Sequence, residues 1–196
     1  TPYRAKCDYD YDSSTGTLTV RALPAILKRT VWESGDAQWT FTWPASIEVG
    51  TKKVILDESI TQIGDYAFND FENLEEITLP ETVTRIGARA FMDCGNLVKI
   101  NFPDALTTIG ESAFANCSSL NEITLTENSG LTDVGEKAFA SCSSLTAFPL
   151  ENTKITTLSN WMFESAGLEK AYVPDGITTI GEGAFYGCKS LKEAVI

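Results

Sequence analysis

The fold of this protein is decided by the stretch Ile63-Gly64-Asp65-Tyr66-Ala67-Phe68. The same six-position pattern returns five more times, at residues 86–91, 109–114, 134–139, 158–163 and 180–185. Its phenylalanines stand at positions 68, 91, 114, 139, 163 and 185, so the steps between them are 23, 23, 25, 24 and 22 residues. A period of about 20 to 50 residues is typical of a solenoid. The sequence therefore predicts a stack of coils, with one turn of the chain in each repeat.

Each repeat combines a short strand with a tight corner. In the first repeat, residues 74–80 (LEEITLP) alternate inward and outward like a short parallel strand that ends at the proline. Gly64 and its equivalents allow a sharp bend, and residues 67–68 are predicted to begin one helical turn that buries the ring. Equivalent strands are predicted at residues 100–102, 123–125, 148–150, 171–173 and 194–196.

Residues 1–57 lack the repeat and are predicted to form an N-terminal cap, because the first coil would otherwise expose its apolar layer to water. Residues 16–20 (GTLTV) and 53–56 (KVIL) are predicted strands of this region. In residues 39–43 (WTFTW) aromatic residues alternate with threonines, so the three aromatic side chains share one face of an extended segment. They form either a buried lid over the first coil or an exposed platform for sugar rings. These cap aromatics are Trp39, Phe41 and Trp43.

Residues 58–196 carry the six coils and are predicted to form one structural domain together with the cap. No polar closing repeat follows the last predicted strand, which would leave an open edge and an apolar layer at that end. We therefore expect that the natural chain continues beyond residue 196, or that this end meets another copy of the protein in end-to-end self-association.

Composition and charge exclude several classes of function. The 196 residues carry a formal net charge of −12, which disfavours nucleic acids and anionic membrane surfaces as partners. The chain has no histidine, so histidine-dependent catalytic triads and imidazole metal sites are excluded. No apolar run reaches the length of a membrane-spanning helix. We therefore predict a soluble protein that is not an enzyme, binds no cofactor and does not insert into membranes.

Four of the five cysteines follow a repeat phenylalanine by three positions: Cys94, Cys117, Cys142 and Cys188. They lie at least 23 residues apart, whereas structural zinc sites use closely spaced pairs. In a stack of coils their side chains would all point the same way, which is poor geometry for a disulfide. We interpret them as a structural ladder of small buried thiols.

The aspartates Asp8, Asp10 and Asp12 alternate like the opening of a calcium-binding loop. Ser13 stands where such a loop requires glycine, and Thr19 stands where it requires a bidentate glutamate. An acidic strand edge explains the three aspartates better, so we predict no metal site.

The pattern LxxIxLPxxLTxIGxxAFxxCxxL, which residues 74–91 and 97–114 carry best, resembles the BspA-like, or Treponema-type, leucine-rich repeat. The resemblance implies a right-handed α/β solenoid of mostly short parallel strands with 3-10 or short helical turns, an N-terminal β cap and no evident C-terminal cap. It also implies a place outside the bacterial cell, secreted or on its surface. Some relatives there are adhesins that bind host matrix proteins or other microbes.

Leucine-rich repeats commonly offer the concave face of their sheet to partners, and alternation predicts which side chains point outward. One outward column alternates in charge and is expected to stabilise the stack itself: Glu76, Lys99, Glu122, Ala147, Lys170 and Glu193. The second column is mostly uncharged, and we predict ligand contacts at four of its members: Thr78, Asn101, Thr124 and Tyr172.

The predicted function is a non-catalytic, adhesin-like module that binds a protein partner outside the bacterial cell. Two alternatives stay open. The first is carbohydrate recognition through the cap aromatics and Tyr172, and the second is a structural spacer in a longer cell-surface protein.

Overall fold

A computed structural model describes residues 8–22 and 43–195 of the chain. These residues form a β-solenoid of about six turns around one continuous apolar core. The solenoid predicted from the repeat period is thereby confirmed. Among the residues described, the strands are β1 Asp8–Asp12, β2 Thr17–Ala22, β3 Lys53–Leu56, β4 Gln62–Ile63, β5 Glu76–Thr78, β6 Arg85–Ile86, β7 Lys99–Asn101, β8 Thr108–Ile109, β9 Glu122–Thr124, β10 Asp133–Val134, β11 Thr157–Leu158, β12 Lys170–Tyr172, β13 Thr179–Ile180 and β14 Glu193–Val195.

Two sheets run along the stack. The first sheet has the order β1-β2-β3-β5-β7-β9, with β1 antiparallel to β2 and every other pair parallel. The second sheet has the order β10-β8-β6-β4 and is parallel throughout. The last two coils form separate parallel pairs, β12 with β14 and β11 with β13.

The predicted cap region, where the structure describes it, joins the first sheet directly. Strand β2 covers the strand predicted at residues 16–20, and β3 matches the one predicted at residues 53–56. The two pair in parallel, with Leu18 opposite Val54. A short helix α1, Ala45–Gly50, precedes β3 and is an element that no sequence pattern indicated.

A column of phenylalanine rings forms the centre of the core. The rings of Phe68, Phe91, Phe114, Phe139 and Phe163 are fully buried, and Phe185 continues the column as a half-buried member. Neighbouring centroids lie 5.2 to 5.7 Å apart, and the rings are within 18° of parallel. Burying one such side chain contributes about 1.5–3 kcal/mol. The six corners predicted to stack do so.

The corners are runs of hydrogen-bonded turns rather than full helical turns. In the first corner Tyr66 has a φ of 59° and Asp70 a φ of 63°, and a helix cannot accommodate such left-handed residues. Alternate amides therefore point along the stack. The amide of Tyr66 donates to the carbonyl of Ala88 (2.9 Å), and that of Phe68 donates to Ala90 (2.7 Å). The corners thus form a third hydrogen-bonded ladder beside the two sheets.

The first sheet is interrupted after β9. The strand predicted at residues 148–150 is wrong, since this segment leads into a 3-10 turn, Leu150–Asn152. Pro149 has no amide hydrogen and cannot donate to a neighbouring strand. The ring of Phe148 still reaches the core, with its centroid 5.0 Å from that of Phe139 and 5.4 Å from that of Phe163.

The second sheet is interrupted between β10 and β11, where a serine replaces the corner glycine. Gly110 and Gly135 each donate their amide to the coil before them, to Ile86 (2.9 Å) and Ile109 (2.8 Å). A Cβ on Gly135 would lie 2.5 Å from the backbone nitrogen of Glu111, so only glycine allows this approach. At Ser159 the side-chain hydroxyl instead donates to the carbonyl of Val134.

Candidate binding face

The first sheet and the β12–β14 pair carry the residues predicted to contact a ligand. In β5 the middle residue Ile77 is buried, whereas Glu76 and Thr78 on either side of it are exposed. Thr124 is exposed in the same way on β9. Tyr172 on β12 keeps 53% of its surface exposed. The alternation therefore places these side chains outward.

Asn101 is engaged in the stack itself. Its Oδ1 accepts a hydrogen bond from the amide of Leu79 (2.7 Å), and its Nδ2 donates to the carbonyl of the same residue (2.8 Å). The side chain thus satisfies both backbone groups at the end of β5. Its role in this structure is to fasten β7 to β5, and its half-buried amide has little free surface for a ligand.

The outward column is not continuous. Thr78, Asn101 and Thr124 lie on the six-stranded sheet, but Tyr172 lies on the separate β12–β14 pair. Residues 146–149 lie between these two parts and form no strand. The structure therefore brings three of the four predicted contacts onto one sheet and places the fourth beyond the interruption.

The charged column beside it forms ion pairs at its two ends, and it begins one coil earlier than predicted, at Lys53. Lys53 Nζ lies 2.9 Å from Glu76 Oε1, and Lys170 Nζ lies 3.2 Å from Glu193 Oε2. Lys99 stands opposite Glu76 and Glu122 in the strand register. The two ion pairs are exposed, so each is worth no more than about 1 kcal/mol. They stabilise the strand register more than they attract a ligand.

Trp43 is the one cap aromatic that the structure describes, since Trp39 and Phe41 lie outside the described residues. It is buried, and its Nε1 donates to the carbonyl of Ala67 (2.7 Å). Its ring lies parallel to that of Phe68 at 6.1 Å and edge-on to those of Tyr9 and Phe71. Trp43 thus extends the phenylalanine column into the cap.

The four repeat cysteines occupy equivalent places. Cys94, Cys117 and Cys142 are fully buried and Cys188 is half-buried. Each thiol donates back to the phenylalanine carbonyl of the coil before it, for example Cys94 Sγ to Phe68 at 3.1 Å. Burial raises the pKa of Cys142 to about 12 and that of the other three thiols above its ordinary value of 9.0. These thiols are protonated and poorly reactive.

The N-terminal aspartates contact the protein itself. Arg21 bonds Asp10 at 2.7 Å and Asp8 at 3.2 Å, and the hydrogen bond from Arg21 lowers the pKa of Asp10. Asp12 accepts hydrogen bonds from Ser14 and Thr15 in the turn after β1, which lower its pKa. In the part of the chain that the structure covers, no three acidic or cysteine side chains are placed to hold a metal ion.

One exposed feature escaped the sequence reasoning. Ile55 on β3 stands opposite Thr78 in the register and is 44% exposed, so the outward column starts one coil before Thr78. It lines a groove of about 410 Å³ with Glu58 and Glu81. The alternation within residues 53–56 contained this signal, because Ile55 falls between the inward Val54 and Leu56.

Comparison with known proteins agrees with this geometry. The family model described as the BspA type leucine-rich repeat region matches six copies, over residues 48–152 and 128–196. The chain belongs to the BspA-type leucine-rich repeat family. No curated protein matches this BspA-type chain. Within residues 8–22 and 43–195, no helix has the length and apolar character needed to span a bilayer.

Solved structures share the fold of this BspA-type repeat. The crystal structure of the Treponema pallidum leucine-rich repeat protein is 24% identical, with a TM-score of 0.64 over 98% of this chain and 90% of that chain. A leucine-rich repeat protein from Bacteroides ovatus is 19% identical, with a TM-score of 0.51 over 97% of this chain and 63% of that chain. At these identities the likeness concerns the fold alone.

Proposed function

We propose that this chain is a non-catalytic, adhesin-like module of a secreted or surface-displayed bacterial protein, and that it binds a protein partner through outward side chains of the first sheet and of the β12–β14 pair. The observation that carries the proposal is the exposure of Thr78 and Thr124 on the first sheet and of Tyr172 on the β12–β14 pair, strands that backbone hydrogen bonds hold in place. A rigid face loses little conformational entropy when a partner docks. Membership of the BspA-type family supports a location outside the bacterial cell, because the resemblance to that family implies such a location.

Binding to immobilised host matrix proteins and to surface proteins of other microbes tests the proposal. We expect at least one of them to bind, and Tyr172→Ala to weaken that binding about tenfold, because exposed aromatic residues often anchor protein interfaces. Val49→Ala is the control, since Val49 is 64% exposed and lies on α1 rather than on the strands that carry the predicted contacts. Equal losses in both variants, or binding to glycans in place of proteins, would contradict the proposal.

Self-association of the chain through its last coil is also part of the proposal. Ile180 is 44% exposed there, Tyr186 is 63% exposed and Val195 is 45% exposed. Light scattering across a concentration series measures it directly. The expected result is a dimer that Tyr186→Ser weakens, whereas a monomer at every concentration would argue against this contact.

A further inference from the structure

The groove beside Ile55 combines an apolar floor with an acidic rim. It lies on the outer face between β3 and β5, has a volume of about 410 Å³, and includes Pro80 beside the exposed side chain of Ile55. Thr78 stands next to Ile55 across the strand pair. The floor therefore offers contact to a hydrocarbon chain without a deep pocket. We call this feature the acidic groove.

The rim of the acidic groove carries unbalanced negative charge. Among the described residues, Lys53 is the one cation in the lining of the groove, and Glu76 already neutralises it at 2.9 Å. Glu58 and Glu81 stand at equivalent places after β3 and β5, and neither forms an ion pair with any residue that the structure describes. Strands in a sheet lie about 4.8 Å apart. Two like charges at adjacent strand ends repel each other unless a cation lies between them.

Beyond the groove, the same strand-end place is acidic in the next two coils. Asp104 and Glu127 follow β7 and β9, each 23 residues after its predecessor, and both are exposed. The acidic rim thus continues along one edge of the outer face. A partner segment that crosses this edge meets one carboxylate per coil.

We propose that the acidic groove receives a lysine or arginine side chain from a basic segment of a protein partner. The aliphatic stem packs on Ile55 and Pro80, and the cationic head lies between Glu58 and Glu81. Lysine and arginine side chains are suited to such a site, because they bury a hydrocarbon stem while the charge stays at the surface. The inference rests on the proposed function, namely that this face binds protein.

A fluorescent octalysine peptide is the probe, and the double variant Glu58→Gln with Glu81→Gln is the test. Glu136→Gln with Glu182→Gln is the matched control, because both residues are exposed glutamates at corners far along the chain and the net charge changes equally. We expect the groove variant to bind octalysine about five- to tenfold more weakly than the control variant in about 0.15 M salt. Equal affinities of the two variants would overturn the proposal.

The apolar part of the proposal needs its own measurement. A peptide of eight 2,3-diaminopropionic acid residues carries cationic heads on much shorter stems, so we expect it to bind several-fold more weakly than octalysine. Ile55→Thr keeps a β-branched residue in β3 and should abolish this difference. If both peptides bind the original protein alike, the stem does not pack on Ile55 and the proposal fails. If the two peptides bind alike while binding of a protein partner still depends on Tyr172, the proposal for the acidic groove is wrong and the proposed function is unaffected.

Discussion

Replacing Gly110 by serine tests why the coils approach so closely at their corners. The amide of Gly110 donates to the carbonyl of Ile86 at 2.9 Å. A Cβ at this position would lie 2.4 Å from the nitrogen of Ala88 and 2.6 Å from the carbonyl carbon of Gly87. Both are backbone atoms that cannot turn aside. We therefore expect Gly110→Ser to separate β8 from β6. Strands β10 and β11, which flank the corner where Ser159 replaces glycine, are likewise not paired with each other.

The expected loss of unfolding free energy in Gly110→Ser follows from the hydrogen bonds that this separation breaks or lengthens. The Gly110 hydrogen bond contributes about 0.5–1.5 kcal/mol, and the short β6–β8 pairing beside it contributes a similar amount for each bond that lengthens. With the strain of moving packed backbone, the expected loss is about 2–4 kcal/mol of unfolding free energy. The control is Gly95→Ser, because a Cβ at Gly95 has one neighbour within 4 Å, Ser118 Oγ at 3.7 Å. That variant should lose about 0.5 kcal/mol or less.

Urea denaturation followed by circular dichroism measures both variants. A loss for Gly110→Ser no larger than that for Gly95→Ser would refute the steric explanation. The converse substitution, Ser159→Gly, should leave stability unchanged or raise it by about 1 kcal/mol, because the backbone amide can then take over the hydrogen bond to Val134. A large loss in that variant would show that the Ser159 hydroxyl is essential to the stack.

Three further predictions concern other parts of the stack. Asn101→Ala should cost about 1–3 kcal/mol in urea denaturation, because it leaves both backbone groups of Leu79 without a partner; equal loss in Thr124→Ala would contradict this. In the same assay, the unfolding free energy of Ser141→Gly should be about 0.5 kcal/mol higher than that of Ser144→Gly. The reason is that the backbone of Ser141 has a left-handed φ of 59°, which glycine adopts more easily, whereas the backbone of Ser144 is not left-handed. Iodoacetamide should leave native Cys142 unmodified in peptide mass mapping. Burial raises the pKa of Cys142 from 9.0 to about 12 in the folded protein. The contribution of Cys142 to the unfolding free energy is therefore complete below pH 9 and is lost as the pH rises toward 12.

The repeat period predicted most of the fold because each coil contributes the same contacts to a common core. The six corner phenylalanines recur at nearly constant spacing and stack into one column. The strand of Lys99–Asn101 follows from the alternation of Ile100 and Phe102 with polar residues. The prediction fails where it assumes that every coil contains the same short strand and tight corner. Phe148 and Leu150 keep the apolar spacing of a strand, so the pattern predicted a strand there. Pro149 between them has no amide hydrogen to donate, and the segment forms no strand.

The candidate site was harder to predict, because outward residues obey no burial rule. Alternation showed that Asn101 points away from the core, but it could not show that the amide reaches back to Leu79. The sequence left both a lid and a sugar platform open for Trp43, with the lid favoured, and the contacts of Trp43 with Phe68 and Ala67 show where the ring lies. Ile55 was missed because the strand that carries it precedes the first complete repeat.

The two interruptions of the sheets fall in one stretch, between Phe139 and Ser159, and this has a consequence for binding. Across this layer the corner ladder continues, with Lys137 donating to Asn160 at 3.1 Å, and Phe148 packs between the rings on either side. The last two coils are therefore held to the others by core packing, by the corner bonds and by three further backbone hydrogen bonds, without pairing of their sheet strands to the preceding coils. These three bonds run from Lys154 to Leu131, from Gly167 to Cys142 and from Glu169 to Thr146. Thr124 lies before this joint and Tyr172 after it. A partner that contacts both would bridge the joint and add contacts where the sheet strands of neighbouring coils are unpaired, so binding there should stabilise the last two coils against local unfolding.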